Sequence, residues 1–302
     1  MSGPSAVLTG TKRRAAKNAL ERAMRLLFSI CGFIAIAFVL LITVYLIISG
    51  LPAIREVGLT DFLFGTRWAS TDKTDPAYGI LPFILTSIYG TAGAILIGVP
   101  IGFLTAVFLS KVAPPRVAAV IRPAVDLLAG IPSVVYGLVG MMVLLPAIRK
   151  TFDIAAGDSL LAAIIVLAVM ILPSIISVSE TALNAVPREY EEASLALGAT
   201  KEETWFRVSV PAARSGIAAA VVLGVGRALG EAMAVIMVSG NAPNMPSLFE
   251  SVRFLTTAVA SEMSYSSGLQ RQALFSIALV LYLFILLINA ALNYFLKRNA
   301  LG

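Results

Sequence analysis

Arg227 and Glu231 stand in a run, Ile217–Val238, whose other residues are all apolar or small. An ionisable side chain at membrane depth costs on the order of 2.5–3.5 kcal/mol on insertion scales unless it is paired or hydrated. Neither residue is therefore expected to face lipid. At a spacing of four they share one helix face. Two chemistries fit. One is a mutually neutralising ion pair that orients the helix. The other is a guanidinium offered to an oxyanion, which Arg can grip bidentately. Glu231 would then hold Arg227 in place, or repel the anion as part of a gate. Gly226 and Gly230, four apart on the same helix, would let a neighbouring helix approach closely.

A second candidate is Gly130-Ile131-Pro132-Ser133. Pro132 lacks an N–H and pushes the residue before it out of helical geometry. A helix broken there exposes N–H groups that favour an anion, and Ser133 adds a hydroxyl. A proline kink that only shapes packing fits the same residues. Asp126 reads as a helix-start residue at the membrane interface. Gly98–Gly102 and Pro173 read as kinks.

Several chemistries are excluded. The chain has no His, so His-based acid–base catalysis, Ser-His-Asp triads and His metal sites are absent. Its one cysteine, Cys31, lies in an apolar run and has no intramolecular partner. No G-x-x-x-x-G-K-[ST] run occurs, so ATP would have to be bound by another subunit. No metal-ligating cluster, dinucleotide fingerprint or pair of membrane-embedded aspartates is present. Neither a catalytic residue, a metal site nor a cofactor is assigned.

The elements that must position these residues are membrane helices. Of 302 residues 58% are hydrophobic and 13% charged, against about 25% charged in a soluble domain. A basic segment, 1–25, precedes an apolar run, 26–48, that is long enough to span a bilayer. This run exceeds the apolar region of a signal peptide and lacks an A-x-A-like site after it, so it reads as an uncleaved helix. A polar loop follows at 49–79. Further spans are expected at 81–109, interrupted by Gly98–Gly102, and at 124–148, broken at Gly130–Ser133. The last three fall at 160–178, 217–238 and 273–296. Six spans put both termini on one side. That side carries fifteen Lys and Arg, the other seven. The positive-inside rule places the termini, residues 110–122 and residues 180–214 in the cytoplasm. The net charge of +6 is thereby explained without nucleic acid.

Residues 180–214 form a polar island between two spans, with six of the seventeen acidic residues. Arg188–Leu197 is rich in helix formers, and Gly198 stands where a left-handed cap is expected. Thr200 and Glu203 match a capping box. Two short helices around a sharp glycine turn are predicted. A single amphipathic helix lying on the membrane surface is the alternative.

Glu192-Ala193-Ser194, then Gly198, then Val208-x-Val210-Pro211 resemble the cytoplasmic EAA loop of ABC importer permeases. That pattern reads E-A-A, three residues, G, nine residues, I-x-L-P, and every spacing fits. Ser194 replaces the second Ala, and Val replaces Ile and Leu. Leu127–Gly137 and Gly226–Val235 look like permeases of the phosphate-specific transport system. The long N-terminal region, Phe62–Trp68 and Tyr78-Gly79 resemble its C-type subunit. The resemblance implies an all-α membrane protein with the six-helix type I (MetI-like) fold and a permease core at 80–298. It implies Glu192, Ala193 and Gly198 as positions docking the ATPase. It implies as partners a homologous A-type permease, two ATPase subunits and an extracytoplasmic phosphate-binding protein. A permease for molybdate or sulfate, or a membrane scaffold using the island only to bind a cytoplasmic protein, are the competing readings.

Overall fold

The computed structural model describes residues 5–72 and 74–300. Lys73 lies outside the described residues, as do the side chains of Lys12, Arg13, Arg14, Lys17, Lys297 and Arg298, all counted above for orientation. The chain divides into two units, Met1–Ser49 and Gly50–Gly302.

Helix α1 (Ser5–Val57) supplies the first unit, and its last residues open the second. It extends well past both ends of the expected span. From Leu26 to Ile48 its large apolar side chains other than Leu46 are exposed. Apolar surface all round a helix suits lipid and not water.

The second unit is organised on α7 (Leu160–Asn184), which passes unbroken through Pro173. Leu167, Met170, Ile171 and Ile175 are fully buried along it. It packs most extensively on α3 (Leu81–Val107). Here the sequence expectation is corrected. Gly98–Gly102 does not interrupt α3, which stays helical through Pro100. These glycines are contact positions. A Cβ at Gly98 would lie 2.7 Å from Ile171 Cδ1, and one at Gly102 2.8 Å from Ile175 Cγ2. Small residues let the two backbones close up, which is how helices gain packing where lipid offers no hydrophobic drive.

The segment 110–122, between two expected spans, is mostly helical. A π turn (Phe108–Val112) ends α3, and α4 (Pro115–Gly130) starts with Pro115 at its first position. Proline is favoured there because its missing N–H is one no helix would use. Asp126 therefore lies in the last third of α4 and does not start a helix. The break at Ile131-Pro132 is present, both residues being extended, and α5 (Ser133–Val139) follows. A π turn (Gly140–Leu144) joins α5 to α6 (Leu145–Phe152).

The described residues of 50–79 are folded and do not form a plain polar loop. α2 (Leu59–Phe64) precedes a small antiparallel pair, β1 (Trp68–Ala69) and β2 (Ala77–Tyr78), in which Trp68 faces Tyr78. Trp68 meets Tyr78 edge-on at 5.7 Å and lies 5.5 Å from Phe83. With Phe62 and Ile80 these rings join a core with Leu255, Leu274 and Ile277. Enough apolar surface is available in this stretch to fold it against α13 (Leu255–Glu262) and α14 (Gly268–Ala300).

Among the described residues five segments are long and apolar enough to cross a bilayer: Glu21–Val57, Leu81–Val112, Ser133–Phe152, Leu160–Asn184 and Gly268–Leu292. The fifth expected span, 217–238, is not one helix. α11 (Arg214–Gly230) ends at Gly230, Glu231 is extended, and α12 (Met233–Val238) begins anew. At its start α11 bends by 71° from Lys201–Ala212.

Candidate functional site

The break between α11 and α12 separates the two charged residues of this span. Arg227 remains on α11, half-buried, and its Nη1 donates to Ser174 Oγ at 3.3 Å. Glu231 has left the helix with ψ 127° and no longer shares a face with Arg227. Its Oε1 accepts from Ala234 N at 3.0 Å, and its carbonyl accepts from Thr256 Oγ1 at 2.9 Å. Among the described residues Arg227 forms no ion pair. The expected one-face pair is thus corrected. The physical reason is local: Gly230 is a poor helix former, and the Glu231 carboxylate gains more by satisfying an orphan N–H of the next helix than by extending α11. Among the described residues no helix of this chain makes the close approach that Gly226 and Gly230 would allow, since a Cβ at either would meet nothing within 4 Å. That side of α11 is open in this chain.

Ser133 is the first residue of α5 and is half-buried. Tyr136, one turn on, donates its hydroxyl to Leu128 O at 2.6 Å and so straps α5 to α4 across the break. Tyr136 also lies within electrostatic reach of Arg227. α5 packs on α12. A Cβ at Gly137 would lie 2.9 Å from Ala234 Cα, and one at Gly140 2.8 Å from Val238 Cγ1. The two helices therefore run in the same direction, with Ser133 and Glu231 at matching ends. Two interrupted helices and a guanidinium meet in one region, but Arg227 contacts Ser174 and not Glu231. Ser174 was missed in the sequence. Its signal is a hydroxyl directly after Pro173 in a run whose one other hydroxyl is Ser177.

The island folds as its capping signals predict. α8 (Arg188–Ala196) is followed by Gly198 at φ 88° and by α9 (Lys201–Thr204). Thr200 Oγ1 accepts from Glu203 N at 3.2 Å, and Glu203 Oε2 accepts from Thr200 N at 3.0 Å. The Thr200 amide holds the Glu203 carboxyl below its ordinary value of 4.5. Replacing Thr200 with Ala removes the cap, and about fivefold faster exchange of the α9 amides is expected by hydrogen–deuterium exchange. Beyond α9 come a π turn (Trp205–Ser209) and α10 (Val210–Ala212). Ser194 Oγ lies 2.9 Å from Thr204 Oγ1, tying the two arms. Glu192, Ala193 and Gly198 are exposed together, beside Leu197 at 90% exposure.

Glu191 points the other way. It accepts from Lys111 Nζ at 2.6 Å and from Ser209 Oγ at 2.8 Å. Burial pushes its carboxyl up, but the bonds from Lys111 and Ser209 and the charges of Lys111 and Arg188 outweigh this and hold it below 4.5. A carboxyl so lowered stabilises the fold fully above 4.5, and the gain is lost as pH falls through the folded value. Glu191 is therefore ionised at physiological pH.

Comparison with known proteins defines the class. The family of binding-protein-dependent transport system inner membrane components matches residues 98–300. The probable ABC transporter permease protein YqgH of Bacillus subtilis is 42% identical, over 88% of each chain. The phosphate transport system permease protein PstC of Haemophilus influenzae is 36% identical over 85% of each, and PstC 2 of Mycobacterium tuberculosis 33% over 90% of each. Two solved structures share the fold. The inward-facing MetNI methionine ABC transporter aligns with TM-score 0.56 at 21% identity, over 73% of this chain and 97% of that one. A bacterial alginate ABC transporter aligns with TM-score 0.60 at 15% identity, over 95% of each chain. The chain belongs to the binding-protein-dependent transport system inner membrane component family. It is a multi-pass membrane permease of an ABC importer, a class that works with an ATPase and a substrate-binding protein.

Proposed function

We propose that the chain is the C-type permease of an ATP-driven phosphate importer. The observation that carries this is the near full-length similarity to permeases named for phosphate transport. An intramembrane guanidinium held by a neutral hydroxyl and not by a carboxylate agrees with it, because Arg227 keeps its charge for an anion. In this reading both termini and the island are cytoplasmic. A homologous A-type permease covers the open side of α11 near Gly226 and Gly230. Phosphate passes Arg227 and Ser133 at that interface. Glu231 acts as an electrostatic gate, while Ser174 takes over the positioning of Arg227. Glu192, Ala193 and Gly198 dock one of two ATPase subunits, which bind the ATP; this chain carries no cofactor.

The complex with its ATPase subunits and an extracytoplasmic binding protein should hydrolyse ATP faster when phosphate is added. A scaffold would co-purify with an ATPase but show no such stimulation. Stimulation by molybdate or sulfate and not by phosphate would assign a different oxyanion.

A further inference from the structure

The island must do more than bind an ATPase, since whatever moves it has to move the membrane helices. α8 buries no residue of its own, so apolar packing does not fasten it to the bundle. Its most extensive packing is on α9 and the Trp205–Ser209 turn, both within the island. Among the described residues the charged link from α8 to the transmembrane part is the Glu191–Lys111 pair. Their side chains are 24% and 11% exposed. Lys111 also donates to Leu183 O at 3.2 Å, and Ser110 Oγ donates to Asn184 Oδ1 at 2.7 Å, so the end of α3 grips the end of α7 at the same point. One carboxylate thus ties together α8, the Trp205–Ser209 turn, α3 and α7.

Two further features mark this junction. Glu191 and Glu192 are adjacent, and successive helical residues diverge by about 100°. One turn of α8 therefore presents Glu192 outward and Glu191 to the bundle. Lys111 and Ser209, the two donors to Glu191, both sit in π turns, at Phe108–Val112 and Trp205–Ser209. Such turns concentrate at functional sites in helices.

We infer that Glu191 and Lys111 are the positioning pair through which movement of the ATPase-docking island is passed to α3 and α7. This rests on the docking role given to the island. A short charge-assisted bond resists both pulling and twisting, which an exposed helix without apolar packing otherwise cannot do.

The test uses the whole importer in proteoliposomes, with labelled phosphate and ATP hydrolysis measured together. In Lys111→Met and Glu191→Gln the ATPase subunits stay bound and hydrolysis continues, while phosphate imported per ATP falls by about fivefold or more. The double variant is no worse than the poorer single one, as for residues acting as one unit. Lys111→Arg retains at least half of the normal ratio. A normal ratio in both single variants, additive losses in the double, or loss of the ATPase subunits from both singles would each overturn the inference. Failure of the docking reading would show separately, as Gly198→Val complexes that keep their ATPase subunits and normal coupling.

Discussion

Arg227→Gln abolishes phosphate uptake while leaving the complex assembled. A guanidinium makes charge-assisted bonds worth about 1.5–3 kcal/mol each to an oxyanion, and two such bonds lost correspond to a fall of roughly 100-fold or more in initial rate. Gln keeps a polar amide but not the charge, and it ends short of the Nη1 position that reaches Ser174. Arg227→Lys should recover only part of the rate, because an ammonium is a point charge without the planar fork. Binding of the ATPase subunits, read by co-purification, should be unchanged, since Arg227 lies on α11 and the docking residues lie on α8 and its turn. Uptake by Arg227→Gln at the normal rate would remove Arg227 from the path.

Gly198→Val uncouples the importer and weakens its hold on the ATPase. At φ 88° Gly198 occupies backbone space that L side chains rarely adopt. Left-handed geometry costs an ordinary residue about 1–2 kcal/mol, and a β-branched one is worse placed still. Nothing lies within 4 Å of a Cβ there, so the effect is backbone strain and not collision within the chain. α8 and α9 lose their fixed angle. A drop of about tenfold or more in retained ATPase is expected where docking depends on that angle, with uptake falling at least as far. Normal coupling by this variant would detach the glycine turn from docking.

How far the sequence could be read depended on the range of the interactions. Composition and run length placed the apolar segments because lipid acts on each helix separately. Thr200, Glu203 and Gly198 announced their turn because a capping box and a left-handed glycine are interactions within a few residues. The proline at 132 announced the break before α5 for the same reason. The break at Glu231 gave no such signal. No proline marks it, and the competition is between extending α11 and capping α12, which is settled partly by Thr256 on a distant segment. The glycines of α3 looked like kinks because their partners, Ile171 and Ile175, lie some seventy residues away in sequence, as the numbering shows. Glu191 was hidden behind Glu192. The two have the same chemistry, and only the tertiary placement of Lys111 separates the inward one from the outward one. Ser174 was passed over because a serine hydroxyl in an apolar helix usually bonds its own backbone.

The most direct single measurement is uptake of labelled phosphate by the reconstituted importer, driven by ATP and competed with arsenate, sulfate and molybdate. ATP-dependent accumulation that arsenate competes away, and that excess sulfate and molybdate leave in place, is the result expected of a phosphate permease. Accumulation blocked by sulfate or molybdate, or no accumulation with the ATPase and binding protein both present, would contradict it.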